Sequence, residues 1–592
     1  MPTRPPEFFD ALRATARRRL LAARGPNGCW EGRLSSSALS TATAIFTLSL
    51  YDRARGDAHH AGLIRGGLRW LADTQNSDGG WGDTTRSLSN ISTTALCWAA
   101  FGVPEAKEFA AAVARAEAWL MAAAGALAPV PLAKAVIARY GKDRTFSVPI
   151  LTMLALAGRL GPDGWRFVPQ LPFELAACPF RWFQWLRLPV VSYALPALIA
   201  IGQVRHHHRP TLNPATRLLR RLTRGRTLRT LRAIQPTTGG YLEATPLTSF
   251  VAMSLIAAGE AGGAVVADGV RFLERSARAD GSWPIDTNLA TWVTTLAVNA
   301  LGNDLPVADR AVVRDWLLAQ QYRVEHPYTH AAPGGWAWTD LAGGVPDADD
   351  TPGALLALAR LGPADERTTP AAAAGVRWLL DLQNADGGIP TFCRGWTGLP
   401  FDRSSADLTA HTLLAWAAWR DHLDADLRAD VDQASDRAVR YLMKTQRADG
   451  AWAPLWFGNQ HAAEVANLTY GTSRVLRLAG RFGPDWSACV RRGVAWLVAN
   501  QNPDGGWGGA ADTPSTIEET ALAVEGLAAA GGADEPIARG LAWLAAATAG
   551  GTATSASPIG FYFANLWYYE ELYPLIYLVA ATGRVLELTD KT

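Results

Sequence analysis

The chain has 592 residues and a formal net charge of only +2, so no excess of basic residues runs through it, which argues against a nucleic-acid-binding protein. Its five cysteines (29, 97, 178, 393 and 489) are odd in number, widely spaced and without a CxxC or Cys/His pairing, which argues against a disulfide framework or a zinc site and for a reducing compartment. The length allows two or three domains and a large core, and the 24 tryptophans are the compositional outlier.

The N-terminal stretch is Arg-rich but carries Glu7 and Asp10 and has no apolar run of the kind a secretory signal needs. Beyond it Ala, Leu and Arg dominate, and apolar residues recur at three and four, so the chain is expected to be nearly all helix. Gln75 to Trp81, Gln446 to Trp452 and Gln501 to Trp507 share the pattern QxxxGxW, each behind a helical stretch. Degenerate copies end at Trp30, Trp283, Trp336 and Ile389, about one helical hairpin apart. The Gly suits a left-handed C-cap, and the indole can stack on the Gln amide and tie one outer helix to the next. These motifs read as staples rather than catalytic groups.

Between Pro169 and Gly202 the pattern changes to an apolar run that is too short and too proline-broken to span a bilayer. Arg205, Arg209, Arg217, Arg220, Arg221, Arg224, Arg226, Arg229 and Arg232 follow with no acid among them. This suits a protein that dips into one leaflet and is held by anionic headgroups, and equally a buried core helix beside a solvated charged face. His206, His207 and His208 read as part of the basic turn rather than a metal site.

Gly334 to Pro352 places Asp347, Asp349 and Asp350 within four residues, behind Trp336 and Trp338 and before an apolar run from Gly353 to Leu361. Thr351 and Pro352 read as an N-cap with proline at the first helical position, setting the carboxylates at the mouth of a helix. Acids this close cannot all ionise in a dry site, because repulsion and burial raise carboxyl pKa values and leave one member protonated near neutral pH. That describes a proton donor, although capping residues on a solvated loop share the pattern. Downstream, Asp407 and His411 are spaced i, i+4 and share a helix face. An imidazolium held by Asp407 can bond one carboxylate and sharpen its neighbour, whereas alone the pair is an ordinary first-turn acid beside a partly exposed His.

The QxxxGxW repeats, Pro346-Asp-Ala-Asp-Asp350, Asp407-Leu-Thr-Ala-His411 and Leu468-Thr-Tyr-Gly-Thr472 together resemble the squalene-hopene cyclases, class II triterpene cyclases, from Gly28 to Pro574. The resemblance implies an all-α fold of two α/α toroidal barrels, the first inserted near the N-terminus of the second. Residues 1–30 would pack on the catalytic barrel, 31–285 form the inserted barrel with a membrane-facing segment near 170–232, and 286–592 form the catalytic barrel. It also implies a monotopic enzyme on the cytoplasmic face of a bacterial-type membrane, without cofactor or metal, turning squalene into a hopene-type product, with a homodimer left open. Asp349 would protonate a terminal double bond, with His411 as partner, Asp347 and Asp350 in support and Asp407 orienting the His. Positions matching the family's cavity aromatics are Trp185, Trp292, Trp338, Phe392, Trp456, Tyr470, Phe561, Tyr562 and Tyr569. Departures from the family pattern include Ser40, Thr41 and Thr43 in place of acids, Trp338 in place of a phenylalanine, Phe392 in place of a tyrosine, and Leu566 in place of a tyrosine.

The chemistry fits that inventory, since alkene protonation demands a strong acid and the carbocations that follow must be kept from water by aromatic faces. Four other readings compete. A class II cyclase acting on another linear or partly cyclised polyprenyl chain would share the acid. An α/α-barrel glycoside hydrolase would need an open polar cleft, a zinc prenyltransferase would need a ligand set around Cys393, and an inactive membrane-bound scaffold would need neither Asp349 nor His411. The metal-ionisation motif DDxxD is absent.

Overall fold

The computed structural model describes residues 8–141, 144–179, 182, 193–392, 402–561 and 565–589. Two kinds of helix make it up. Helices of the first kind are buried on every side, as Ile517–Ala530 is from Ile517 through Ala528, its three glutamates included. Amphipathic helices such as Ala61–Asp73 bury a single stripe, here Ile64, Gly67, Leu68 and Leu71.

The buried helices form two closed rings. Ala290–Leu301, Asp350–Leu361, Ala406–Trp419, Leu468–Leu476, Ile517–Ala530 and Tyr573–Thr589 each pack on the next, and the last returns to the first. Ala38–Arg55, Ile91–Ala100, Ser147–Leu156, Leu195–His208 and Thr245–Leu255 close the other ring in the same way. The amphipathic helices pack outside these rings, so both are α/α barrels, each with its own apolar core. The N-terminal helix Phe8–Ala22 belongs to the barrel with the acidic cluster, where it packs on Asp534–Ala547 and Tyr573–Thr589. The chain therefore starts in one barrel, leaves to build the other and returns. The antiparallel pair Ser36–Ser37 with Trp283–Pro284 marks the departure and the return.

The repeats act as staples, but by a different division of labour from the one expected. The indole N–H turns back on its own outer helix and donates to a leucine carbonyl ten residues earlier, as Trp81 does to Leu71 at 2.8 Å and Trp507 to Leu497 at 2.8 Å. The glutamine makes the tie to the next outer helix: the Gln75 amide donates to Gly79 at 2.7 Å and to Ala112 at 3.0 Å, and that of Gln446 to Gly450 at 2.8 Å and Cys489 at 2.9 Å. The repeat glycine sits in the turn after the helix end rather than at its C-cap. Gly450 has φ 99°, and a Cβ there would stand 2.6 Å from the Arg492 carbonyl oxygen, so only glycine lets the turn touch the neighbouring helix.

Each repeat is fastened inward by a threonine. The backbone N–H of Trp81 donates to Thr94, of Trp452 to Thr472 and of Trp507 to Thr520, at 2.9 to 3.0 Å. Two of these bonds join distant ends: Trp283 donates to Thr41 at 3.0 Å and closes the inserted barrel, and Trp30 donates to Thr294 at 2.9 Å and closes the other. Gln235 to Tyr241 is a further copy with tyrosine for tryptophan, its hydroxyl reaching the Leu231 carbonyl at 3.0 Å.

The apolar run expected to meet a membrane divides in its described part: Ile199, Ala200, Ile201 and Val204 of Leu195–His208 are fully buried in the barrel wall, whereas Leu175 and Trp182 are exposed. His208, at the end of that helix, stacks on Trp165 with ring centroids 4.6 Å apart. No single described helix is long and apolar enough to cross a bilayer. Cys29, Cys97, Cys178 and Cys489 are free, and Cys393 lies outside the described residues.

Thr41→Val keeps the side-chain shape but leaves the buried Trp283 N–H without its acceptor. Chemical denaturation should show a loss of about 1 to 3 kcal/mol, the cost of one unsatisfied buried donor.

Candidate active site

The acidic cluster lies where the Trp336 repeat meets the inner helix Asp350–Leu361. Asp347, rather than Thr351, opens that helix: its Oδ1 accepts the backbone N–H groups of Asp349 and Asp350, both at 2.8 Å. Thr351 is occupied elsewhere, its hydroxyl accepting the Trp336 backbone N–H at 3.0 Å. Pro352 falls in the first helical turn, where a missing N–H leaves no bond unmade. The segment is pinned on both sides, with the Asp347 N–H donating to the Trp336 carbonyl at 3.1 Å and the Ala348 N–H to that of Thr391 at 2.9 Å.

These bonds separate three adjacent carboxyls into different environments. Asp347 is engaged as a cap. Asp350 is buried with one oxygen unpartnered among the described residues. Only Asp349 faces a cavity, with 18% of its side chain exposed, against 3% for each neighbouring residue. The cavity lies on the axis of the six-helix ring and is lined by Trp292, Asp349, His411, Tyr470, Arg474 and Glu525 among others.

Burial drives the electrostatics. It raises the Asp349 carboxyl from 3.8 to about 7, opposed by the positive charge of Arg474. Asp350 is pushed well up by burial and by the charge of Asp347, while Asp347 rises less because a hydrogen bond from the Asp350 carboxyl, and then backbone N–H groups, favour its ionised form, so in that pair the proton sits on Asp350. Asp407 is raised to about 6, by burial first and then by Asp349.

His411 Nδ1 stands 3.8 Å from Asp349 Oδ1, beyond hydrogen-bond length but adjacent. The expected arrangement of an imidazolium held by Asp407 is not what the structure contains. Asp407 accepts the Ser405 hydroxyl and, at 3.3 Å, the Leu455 N–H, so it serves the first turn of its own helix. His411 is held well below its ordinary pKa by burial and by the guanidiniums of Arg477 and Arg474, and is neutral near pH 7. A shared helix face brought Asp407 and His411 close in register without bonding them.

Trp292 and Tyr470 line the same cavity as Asp349. The Trp292 ring meets His411 edge-on at 6.3 Å, and its indole N–H donates to the Tyr573 hydroxyl at 2.9 Å. Trp338, Phe392 and Trp456 form a second group between the two barrel cores, with Phe392 6.2 Å from Trp338 and 5.8 Å from Trp456. Phe392 follows Thr391, whose carbonyl holds the acidic segment, so this aromatic group adjoins the acid. Tyr569 is elsewhere: it lies under the Arg86 guanidinium at 4.9 Å. Its neighbour Tyr568, the last residue of the strand Leu566–Tyr568, takes the inward place, and its hydroxyl is 3.3 Å from that of Tyr573. Trp185, Tyr562 and the side chain of Phe561 lie outside the described residues.

The reading of the sequence missed Arg474, Arg477, Glu525, Tyr573 and Tyr577. Their signal was charge in the wrong place, since Arg474 and Arg477 interrupt an inner-helix pattern and Glu525 sits in an Ala/Leu run. A neutral carboxyl facing a cavity walled by indole and phenol can deliver a proton to an apolar substrate.

Because the folded state holds protons on carboxyls that the unfolded chain releases above pH 3.8, stability should fall as pH rises from about 4 to about 7. In Asp349→Asn the slope should correspond to about one proton fewer, read by denaturation across that range.

A family model described as the squalene-hopene cyclase N-terminal domain matches residues 14–227, and one for the C-terminal domain of the same family matches 288–583. The squalene hopane cyclase afumA of Aspergillus fumigatus is 27% identical over 87% of this chain and 81% of its own length. The drimenyl diphosphate synthase of Streptomyces showdoensis is 36% identical over 33% of this chain and 34% of its own. In architecture the chain is similar to the ent-copalyl diphosphate synthase of Streptomyces platensis, with a TM-score of 0.60 at 19% identity over 98% of this chain and 99% of that one. With both halves matched, the chain belongs to the squalene-hopene cyclase family and is a class II terpene cyclase.

Proposed function

We propose that the protein converts squalene to a hopene-type pentacyclic triterpene, with Asp349 as the acid that starts the reaction. The observation that carries this reading is the Asp349 carboxyl, turned to the cavity, raised to about 7 by burial so that it keeps its proton up to neutral pH, and bordered by Trp292 and Tyr470. The proton of Asp349 passes to one carbon of a terminal alkene and leaves a cation on the other. Successive double bonds then add to the cation until the last one loses a proton or takes up water, so that no cofactor is consumed. Aromatic faces stabilise such cations by about 0.5 to 2 kcal/mol each without trapping them. Trp292 and Tyr470 can serve the first ring, and the group Trp338, Phe392 and Trp456 later ones.

A shorter polyprenyl diphosphate is the second reading. It is favoured by the higher local identity to drimenyl diphosphate synthase and by the bulk of Trp338. Purified protein incubated separately with squalene and with farnesyl diphosphate, followed by gas chromatography, should yield cyclic product from squalene, and cyclisation of the diphosphate alone would favour the second reading. Asp349→Asn should stay folded and form no product, and unchanged turnover would remove Asp349 from its role.

We also propose that the protein works on a membrane surface. Supporting this are Leu212, fully exposed, and Leu218, Leu219 and Leu222, exposed by 57%, 49% and 72% on or beside the arginine-rich helix Pro214–Ala233. Apolar residues interleaved with cations suit an anionic leaflet. Changing Leu218, Leu219 and Leu222 together to Ser should weaken co-sedimentation with anionic lipid vesicles by roughly tenfold. Unaltered sedimentation would exclude this face.

A further inference from the structure

Below the acid, the cavity continues into a group of charges that the alkene-protonating reaction does not by itself require. Arg474 projects from Leu468–Leu476, Arg477 from the residue that caps its C-terminal end, and Glu525 from Ile517–Ala530. Glu525 is shared, its Oε2 standing 3.9 Å from Arg474 and its Oε1 3.3 Å from Arg477 Nε. Arg474 is held further by the faces of Tyr470 and Tyr577, 5.0 and 5.4 Å from its guanidinium carbon. One carboxylate between two guanidiniums leaves a net positive charge in the same cavity as Asp349. An arginine cannot shed that charge by losing a proton, as a histidine can.

The other groups around Asp349 do not supply a cation. Its own segment contributes Asp347 and Asp350, and Ala406–Trp419 contributes Asp407 and the neutral His411. Tyr568 and Tyr573 stay protonated through burial, as do Tyr470 and Tyr577. Arg360 and Arg584, with Glu587, lie beyond Arg477 at the far end of the group.

We propose that the guanidinium of Arg474, steadied by Glu525, takes the part expected of an imidazolium at His411: it stabilises the carboxylate left on Asp349 and so strengthens the acid. The inference rests on Asp349 as the acid. Arg474 touches no reacting atom and acts through Asp349, as a positioning residue. The Asp349 carboxyl takes no hydrogen bond among the described residues, so its proton stays available to the alkene while the charge acts across the cavity, inside the low-dielectric ring.

The test is the alkaline limb of the steady-state rate against pH, measured with squalene in detergent for the full chain and its variants. Arg474→Gln should move the limb up by about one pH unit and lower the plateau, since a weaker acid holds its proton longer. Glu525→Gln should move the limb down by about one unit, because it leaves both guanidiniums uncompensated, and Arg474→Lys should leave it in place. Activity lost with the limb unmoved, or both limbs moving the same way, would overturn the proposal by reducing the cluster to a structural role. If Arg474→Gln does not fold, Glu525→Gln and Arg474→Lys decide alone. Turnover by Asp349→Asn would instead overturn the assignment of the acid, a separable outcome.

Discussion

Removing a carboxyl from water without giving it a partner is expensive, and the structure is arranged around sustaining that state at one position. Asp349 has acids on either side, yet of the three its carboxyl alone is turned to the cavity, and among the described residues it takes no hydrogen bond. Had Asp347 not taken the backbone N–H groups of the helix start, those donors would be free to bond the Asp349 carboxylate, favour its ionised form and weaken its hold on the proton. The cap that begins the helix is therefore also what keeps the neighbouring carboxyl a proton donor.

The stapled barrels supply the rigidity this needs. The Trp336 repeat holds the acidic segment through Thr351 and Asp347, using the same backbone-to-threonine bond that the other repeats use only for structure. A scaffold of local, self-similar units sets the acid inside the inner ring, and the deep walls of that ring provide the dry surroundings. The acidic segment is a modified copy of a structural joint.

How much of this was legible in the sequence follows from how local each interaction is. The glutamine, glycine and tryptophan of a repeat act within one turn, so their spacing announced the helical hairpins. The copy ending at Tyr241 was hidden only by the replacement of indole by phenol, whereas the one at Trp336 was readable despite an insertion after Gln321, whose amide still bonds Gly334 at 2.9 Å. The acidic cluster was readable for the same reason. Arg474 and Glu525 were not, because they meet only when helices about fifty residues apart in the chain close the ring. The inward place of Tyr568 rather than Tyr569 depends on a one-residue register within a short hairpin, which no pattern in that aromatic stretch determines.

The bond from Trp30 to Thr294 has a temporal meaning as well as a spatial one. During synthesis the helix Phe8–Ala22 is made before the inserted barrel, yet its partners Asp534–Ala547 and Tyr573–Thr589 are made after it. The inserted barrel can complete itself once Trp283 reaches Thr41, whereas the compartment around Asp349 lacks a wall until Tyr573–Thr589 docks. Until that helix docks, a nascent chain carries an ordinary, hydrated aspartate, and the raised carboxyl belongs to the closed ring alone.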